Sequence, residues 1–301
     1  MPAITYSPRV RDAIAEDLPL VALETAVVTH GLPFPQNLET ALKMEEIILA
    51  EGAVPATIGM LNGRLHLGLT GDQLEELAQE EDPVKISRRD FGAALLKGAS
   101  GGTTVAGTLT ALTAAPIRVF ATGGIGGVHR GNGFDVSADL PVLAKTPALV
   151  VCAGAKSILD LPATLEILET LSVPVVGYRT DDFPAFYARS SGLPVKIRVD
   201  DPREAALLSV HHRALDLESA VLLVVPPPEG DALDDQEMEA AVEQALEDAE
   251  RAGIKGAGVT PFLLSRVSEL TGGGSLRANL SLLKNNARVA AQTAAALHEL
   301  E

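Results

Sequence analysis

Short apolar runs recur along the chain, each followed by a longer amphipathic segment. Ala148–Ala153 and Ala220–Val225 leave no face for water, which suits strands covered on both sides. Further strands are predicted at Leu20–Val28, Val54–Leu61, Arg64–Leu69, Ile117–Thr122, Val173–Tyr178 and Val195–Val199. Helices are predicted over 38–51, 73–79, 104–114, 138–145, 158–171, 202–215, 234–252, 261–270 and 276–300, with Pro202 in a first turn and Gly253 just past an end. Strand–helix alternation points to an α/β fold on a mostly parallel sheet. Asn62-Gly63 between two strands predicts one antiparallel hairpin.

The 301 residues contain no internal repeat and no low-complexity linker, and the best break, Pro226–Asp231, is short, so one domain over 1–301 is expected. Forty acidic against 24 basic residues, a net charge of -16, repel polyanions; nucleic acid and anionic membranes are poor partners. A small anionic substrate is still allowed, because a site's field is set locally. Cys152, the single cysteine, sits in an apolar run and reads as an inert core thiol. With no apolar signal core near the N-terminus and no apolar stretch approaching ~20 residues, a cytoplasmic protein is expected.

In such folds chemistry gathers beyond the carboxyl ends of the strands, and five junctions carry unusual residues. Glu24 lies in an otherwise apolar run, where desolvation raises a carboxyl pKa and suits it to proton transfer; the plainer alternative is a solvent-facing or Arg-paired acid. His30-Gly31 follows, as turn or site residues. Lys85-Ile-Ser-Arg-Arg-Asp90 is a basic cluster that suits a phosphate or is a solvated loop. Gly101–Gly107 reads as glycines entering a helix, an anion site or simple capping by Thr103 or Thr104, without the Gly-Lys-Ser/Thr of a Walker loop.

Ala121–Gly131 carries five glycines, His129 and Arg130. With His at 129 it fails the dinucleotide fingerprint and instead suggests backbone lying close to a ligand. Asp135, Ser137 and Asp139 follow, as hard oxygen ligands for a divalent cation or as helix caps. Lys156 leaves an apolar strand at an expected helix N-terminus, where desolvation and the helix dipole both oppose its charge; it reads as an imine-forming amine or as a side chain reaching solvent. Thr271–Ser275 and Asn285-Asn286 near the C-terminus could close over a site.

Together, Ala22-Leu-Glu-Thr25, Thr29–Asn37, Gly52–Thr57, Lys85–Asp90, Phe120–Gly131, Val151–Asp160 and Thr260–Leu264 resemble the pseudouridine-5'-phosphate glycosidase family, which includes indigoidine synthase A-like proteins. The resemblance runs from about residue 7 to about residue 297. It implies a three-layer α/β/α core, a homotrimer, Glu24 as proton donor and Lys156 as covalent nucleophile. Asp135 would hold a divalent metal, usually manganese, and Lys85, Val105, Ser137, Ala138 and Asp139 would contact substrate. Thr122, His129 and one of Asn285 or Asn286 would complete the site. The connection Arg130–Asp135 looks shorter than the family's commoner form by about two residues.

The implied reaction is reversible cleavage of pseudouridine 5'-phosphate to uracil and ribose 5-phosphate. A C–C glycosidic bond offers no heteroatom for paired carboxylates to protonate. The base must leave as a carbon acid, and a lysine imine supplies the electron sink that this requires. Another imine-forming lyase or aldolase on a phosphosugar would use the same residues. A non-catalytic sugar-phosphate sensor would need the phosphate loops but not the lysine.

Overall fold

The computed structural model describes residues 4–131, 135–254 and 258–301. In chain order the elements are β1 (Ile4–Tyr6), α1 (Pro8–Ala15), β2 (Leu20–Leu23), a π-helical turn (Val27–Gly31), α2 (Gln36–Ala50), β3 (Val54–Leu61), β4 (Arg64–Leu67), α3 (Gly71–Ala78), β5 (Val84–Ile86), α4 (Phe91–Lys97), β6 (Gly101–Thr103) and α5 (Val105–Leu112). There follow β7 (Val119–Ala121), β8 (Val128–His129), α6 (Asp139–Leu143), β9 (Leu149–Cys152), β10 (Leu159–Asp160), α7 (Leu161–Thr170), β11 (Val175–Tyr178), β12 (Ile197–Val199), α8 (Pro202–Ala214), β13 (Val221–Val224), α9 (Asp235–Arg251), α10 (Val259–Leu270) and α11 (Gly274–His298).

Among the described residues the main sheet has eleven strands, with a parallel centre in the order β3-β2-β7-β9-β13-β11-β12. The antiparallel exceptions flank β3: β4 returns through Asn62-Gly63, and β6 pairs along the second half of β3. Asn62 (φ 49°) and Gly63 (φ 69°) are both left-handed, the geometry of a two-residue hairpin turn. Strands β2, β9 and β13 are buried at every position, as strands covered on both faces must be.

Helices cover both faces, giving the α/β/α arrangement. On one, α11 crosses β2, β7 and β9 between α2 and α8. Its buried side is largely alanine (Ala278, Ala287, Ala290, Ala291, Ala294), so its backbone rides close to the sheet. On the other, α5 packs on β2 and β3 and against α6.

The predicted strand over 20–28 ends at Leu23, because β6 moves in beside β3. Thr25 marks the exchange: its hydroxyl donates to the Ile58 carbonyl at 2.6 Å and accepts from the Thr103 N–H at 3.0 Å. Gly101–Thr103, expected to lead straight into a helix, is this inserted strand; α5 follows it, capped by the Thr104 hydroxyl. A Cβ on Gly102 would lie 2.5 Å from the Thr25 carbonyl oxygen, so the crossing needs glycine. The edge strand β1, the short helices α1 and α4 and the two-residue strands β8 and β10 were not anticipated, since pieces this short carry little periodicity.

Gly63 tests the hairpin. A Cβ there would meet Gly98 Cα at 2.7 Å in addition to the left-handed φ. Gly63→Ala is expected to lower the unfolding free energy by about 2 kcal/mol or more in a urea titration.

Candidate active site at the carboxyl edge of the sheet

Strands β2, β7 and β9 are neighbours in register, with Leu23 opposite Ala121 and Ala121 opposite Val151. One residue further along stand Glu24 and Thr122, and the Thr122 hydroxyl donates to Glu24 Oε1. Two connections prolong the β7–β9 pairing beyond the strands. Ala153 N donates to Gly123 O (2.9 Å), Ile125 N to Gly154 O (3.0 Å) and Lys156 N to Ile125 O (3.1 Å). The glycine-rich loop is thus a rail that fixes the backbone of Lys156.

A cavity of about 350 Å³ opens here, a size suited to a small ligand. Of the residues named from sequence, it gathers Glu24, Lys85, Val105, His129, Ser137, Ala138, Asp139 and Lys156, with His30 beside them. Burial raises the Glu24 carboxyl above the usual range, and nearby Asp139 adds to this; Lys156, Thr122 and Lys85 oppose it. Burial lowers Lys85, Lys156 pushes the same way, and Glu24 and Asp139 counter. Burial also lowers His30, with Lys85 reinforcing the effect.

Asp139, 6% exposed, is tied down at both oxygens: Oδ1 accepts from Ala106 N at 2.9 Å and Oδ2 from Gly126 N at 2.8 Å. The anion expected at the start of α5 is therefore in part the protein's own carboxylate. Ser137 donates its N–H to Gly127 O (2.9 Å), and its hydroxyl accepts from Asp139 N (3.2 Å), which holds 137–139 against the glycine loop. His129 pairs across β8–β10 with Leu159, so the turn carrying Lys156 is bounded on both sides.

Several expectations need correction. Lys156 does not sit at a helix N-terminus: α7 begins at Leu161 with Asp160 as its cap, and a turn and β10 intervene, so the dipole argument lapses. Thr122 is fully buried behind the cavity and reaches it only through Glu24. Neither Asn285 nor Asn286 lines the cavity; Asn286 Nδ2 holds the Thr122 carbonyl (2.8 Å) from behind. Arg130 is spent on structure, bonding the carbonyls of Leu159 and Ser157 (3.2 Å each) and the Glu239 carboxylate on α9. The turn over 271–275 joins α10 to α11 and does not line the cavity.

Asp135 is exposed and outside the cavity wall; its carbonyl accepts the His129 N–H at 2.9 Å. The shortened connection before it falls on residues 132–134, outside the described residues. Among the described residues no three His, Cys, Asp or Glu side chains converge as a metal cluster. Cys152 is buried in the core, its thiol pushed up to about 12 by burial.

Sequence reasoning missed Phe186, from the irregular connection after β11, and Asn279 and Leu283 on α11. Asn279, Leu283 and Asn286 repeat at i, i+4 and i+7, so one face of a predicted helix carried the signal. Nothing local marks Phe186.

The family model described as "Indigoidine synthase A like protein" matches residues 9–296. A protein of Herpetosiphon aurantiacus named pseudouridine-5'-phosphate glycosidase is 54% identical over 99% of each chain. One of the same name from Caldanaerobacter subterraneus is 50% identical over 99% of this chain and 97% of its own. Among solved structures, the prealnumycin C-glycosynthase AlnA in complex with ribulose 5-phosphate superposes with a TM-score of 0.91 at 43% identity, covering 99% of this chain and 97% of its own. An indigoidine synthase A-like protein from Thermotoga maritima gives 0.90 at 35% identity, covering 98% and 96%. With a match across nearly its whole length and relatives at half identity, the chain belongs to the indigoidine synthase A-like family.

Proposed function

We propose that the chain reversibly cleaves the C–C glycosidic bond of pseudouridine 5'-phosphate to uracil and ribose 5-phosphate, through an imine on Lys156 with Glu24 as proton donor. The observation that carries the reading is the meeting of Lys156, Lys85 and a burial-raised Glu24 in one cavity at the sheet's carboxyl edge. The names of the relatives support the same reaction, and the ribulose 5-phosphate complex of a structural neighbour supports a pentose phosphate as the ligand class. The reading includes one functional unit over 1–301, a cytoplasmic location and a homotrimer. Among the described residues no helix is long and apolar enough to cross a membrane.

Glu24 gives its proton to the ring oxygen as the bond from C1' to that oxygen breaks, with electrons supplied by the uracil π-system. The neutral Lys156 amine adds to C1'. The nitrogen returns a proton to Glu24 after the addition, and Glu24 passes it to uracil C5 as the C1'–C5 bond breaks, which leaves uracil and an imine between Lys156 and the opened sugar. Water hydrolyses the imine, releasing ribose 5-phosphate and restoring the amine. Lys85 supplies positive charge for the phosphate, and the backbone at Val105, at the start of α5, lies on the same wall.

As the family resemblance implies, Asp135 would hold a divalent ion, although it stands outside the cavity wall; the carboxylate on that wall, Asp139, has both oxygens held by backbone N–H groups. When bound, such an ion would neutralise phosphate charge.

Chromatography of purified protein with pseudouridine 5'-phosphate should show uracil with Mn²⁺ and none with chelator; no uracil under either condition from folded protein would overturn the reading. Borohydride with ribose 5-phosphate should attach the sugar to the wild type and not to Lys156→Ala, which should release no uracil. Adducts elsewhere would displace Lys156.

Because burial raises the Glu24 pKa, the donor form persists above the usual carboxylate range and is lost as pH rises through the raised value. Activity should fall on that alkaline side, and Glu24→Gln should lose roughly 10²–10⁴-fold in kcat. Asp135→Ala should keep the circular-dichroism spectrum and abolish the response to Mn²⁺; an unchanged response would remove Asp135 as ligand.

A further inference from the structure

The glycine rail holds Lys156 by its N–H, from the side where the chain arrives. On the other side the chain turns at once: Leu159 N donates to Lys156 O at 3.0 Å, and β10 begins there. The Ser157 hydroxyl in this turn is buried and has no hydrogen-bond partner among the described residues, so that side chain gives the turn no anchor. The anchor is Arg130, which does not itself line the cavity. Its Nε donates to Leu159 O and its Nη2 to Ser157 O, each at 3.2 Å. Two carbonyls just past Lys156 thus hang on one guanidinium.

Glu239 on α9 grips the same guanidinium from outside, with Nη1 donating to one carboxylate oxygen and Nη2 to the other. Such a two-point pairing fixes the guanidinium plane as well as its position. Its bonds to Arg130 also hold the Glu239 carboxyl below the usual range, so the orienting charge is kept. Because Nη2 serves both partners, the Ser157 carbonyl and the carboxylate cannot shift independently. Helix α9 is in turn tied to α10: the two pack together, and Arg266 Nε donates to Asp248 Oδ2 at 2.7 Å. Thr260 and Leu264 of α10 stand in the cavity wall. That wall and the lysine turn are therefore joined through the Arg130–Glu239 pair.

We propose that Arg130 is a positioning residue for Lys156, and that Glu239, outside the cavity, orients Arg130 for this task. The role presupposes the imine reading of Lys156. An amine that must add to C1' along one direction loses rate steeply, of order 10²-fold, when it is displaced by about 1 Å. Capture of the sugar phosphate by the Lys85 end does not need that alignment. The expected signature is therefore slower imine formation with unchanged sugar binding. A salt bridge that merely pinned α9 to the rim would act differently: a pair this exposed contributes little, and its loss would leave the imine step alone.

The test is the time course with which ribose 5-phosphate becomes trappable on Lys156 by borohydride, measured for its maximal rate and its half-saturating sugar concentration. Arg130→Lys keeps the charge but replaces the fork by a single ammonium. It should slow trapping at least about tenfold while half-saturation stays within about twofold. Glu239→Gln, an isosteric change at a half-exposed position, should slow trapping about threefold or more, so the test stands even if Arg130→Lys does not fold. Exchanging the charges, Arg130→Glu with Glu239→Arg, rebuilds an ion pair but not the bonds to the carbonyls, and should not restore the rate. Wild-type rates in the single variants, or recovery in the exchanged pair, would reduce the pair to a surface tie and overturn the proposal. A parallel rise in half-saturation would overturn it too, as general damage to the site. Wild-type protein that traps no sugar would instead fell the imine reading, and this role with it.

Discussion

Everything at the site depends on β7 and β9 staying hydrogen-bonded after they cease to be strands. Past Ala121 and Cys152 the two chains remain partnered through Gly123, Gly154 and Ile125 as far as Lys156. A lysine on an ordinary loop would wander over several ångströms, whereas here the backbone N–H of the residue itself is bonded. The glycines follow from the same constraint, because Phe186, Thr164 and Ser137 crowd the rail so closely that a side chain on 124, 126 or 127 would have to displace one of them.

Asp139 closes the arrangement from the other side. Its carboxylate joins the first turn of α5 to the glycine loop, so two walls of the cavity are set by one buried, charge-assisted pair of hydrogen bonds. Its charge is not wasted, since it helps to keep Glu24 neutral and Lys85 charged. Arg130 acts similarly at the rim, linking the turn after Lys156 to α9. Residues that looked like ligands in the sequence are in part the fasteners of the site.

The parallel centre of the sheet was legible because strands buried on both faces leave continuous apolar runs, and the hairpin because Asn-Gly demands its turn. Glu24, Lys85 and Lys156 were legible as charges out of place. Their meeting in space was not, because it depends on the order β2-β7-β9, which nothing local in the chain encodes. The end of β2 was misplaced because β6 competes for the edge of β3, a tertiary effect. Asn286 was noticed for its amide, yet that amide serves a carbonyl behind the site, while Asn279, two turns earlier on the same face, reaches the cavity.

The hydrogen bond between Thr122 and Glu24 makes the two carboxyl oxygens unequal. Oε1 is engaged by the Thr122 hydroxyl, which leaves Oε2 without a hydrogen-bond partner among the described residues. Asn286, gripping the Thr122 carbonyl, holds the threonine from the helix behind. Glu24 therefore faces its surroundings unevenly, with one oxygen fastened through the threonine to the helix and the other left to the cavity.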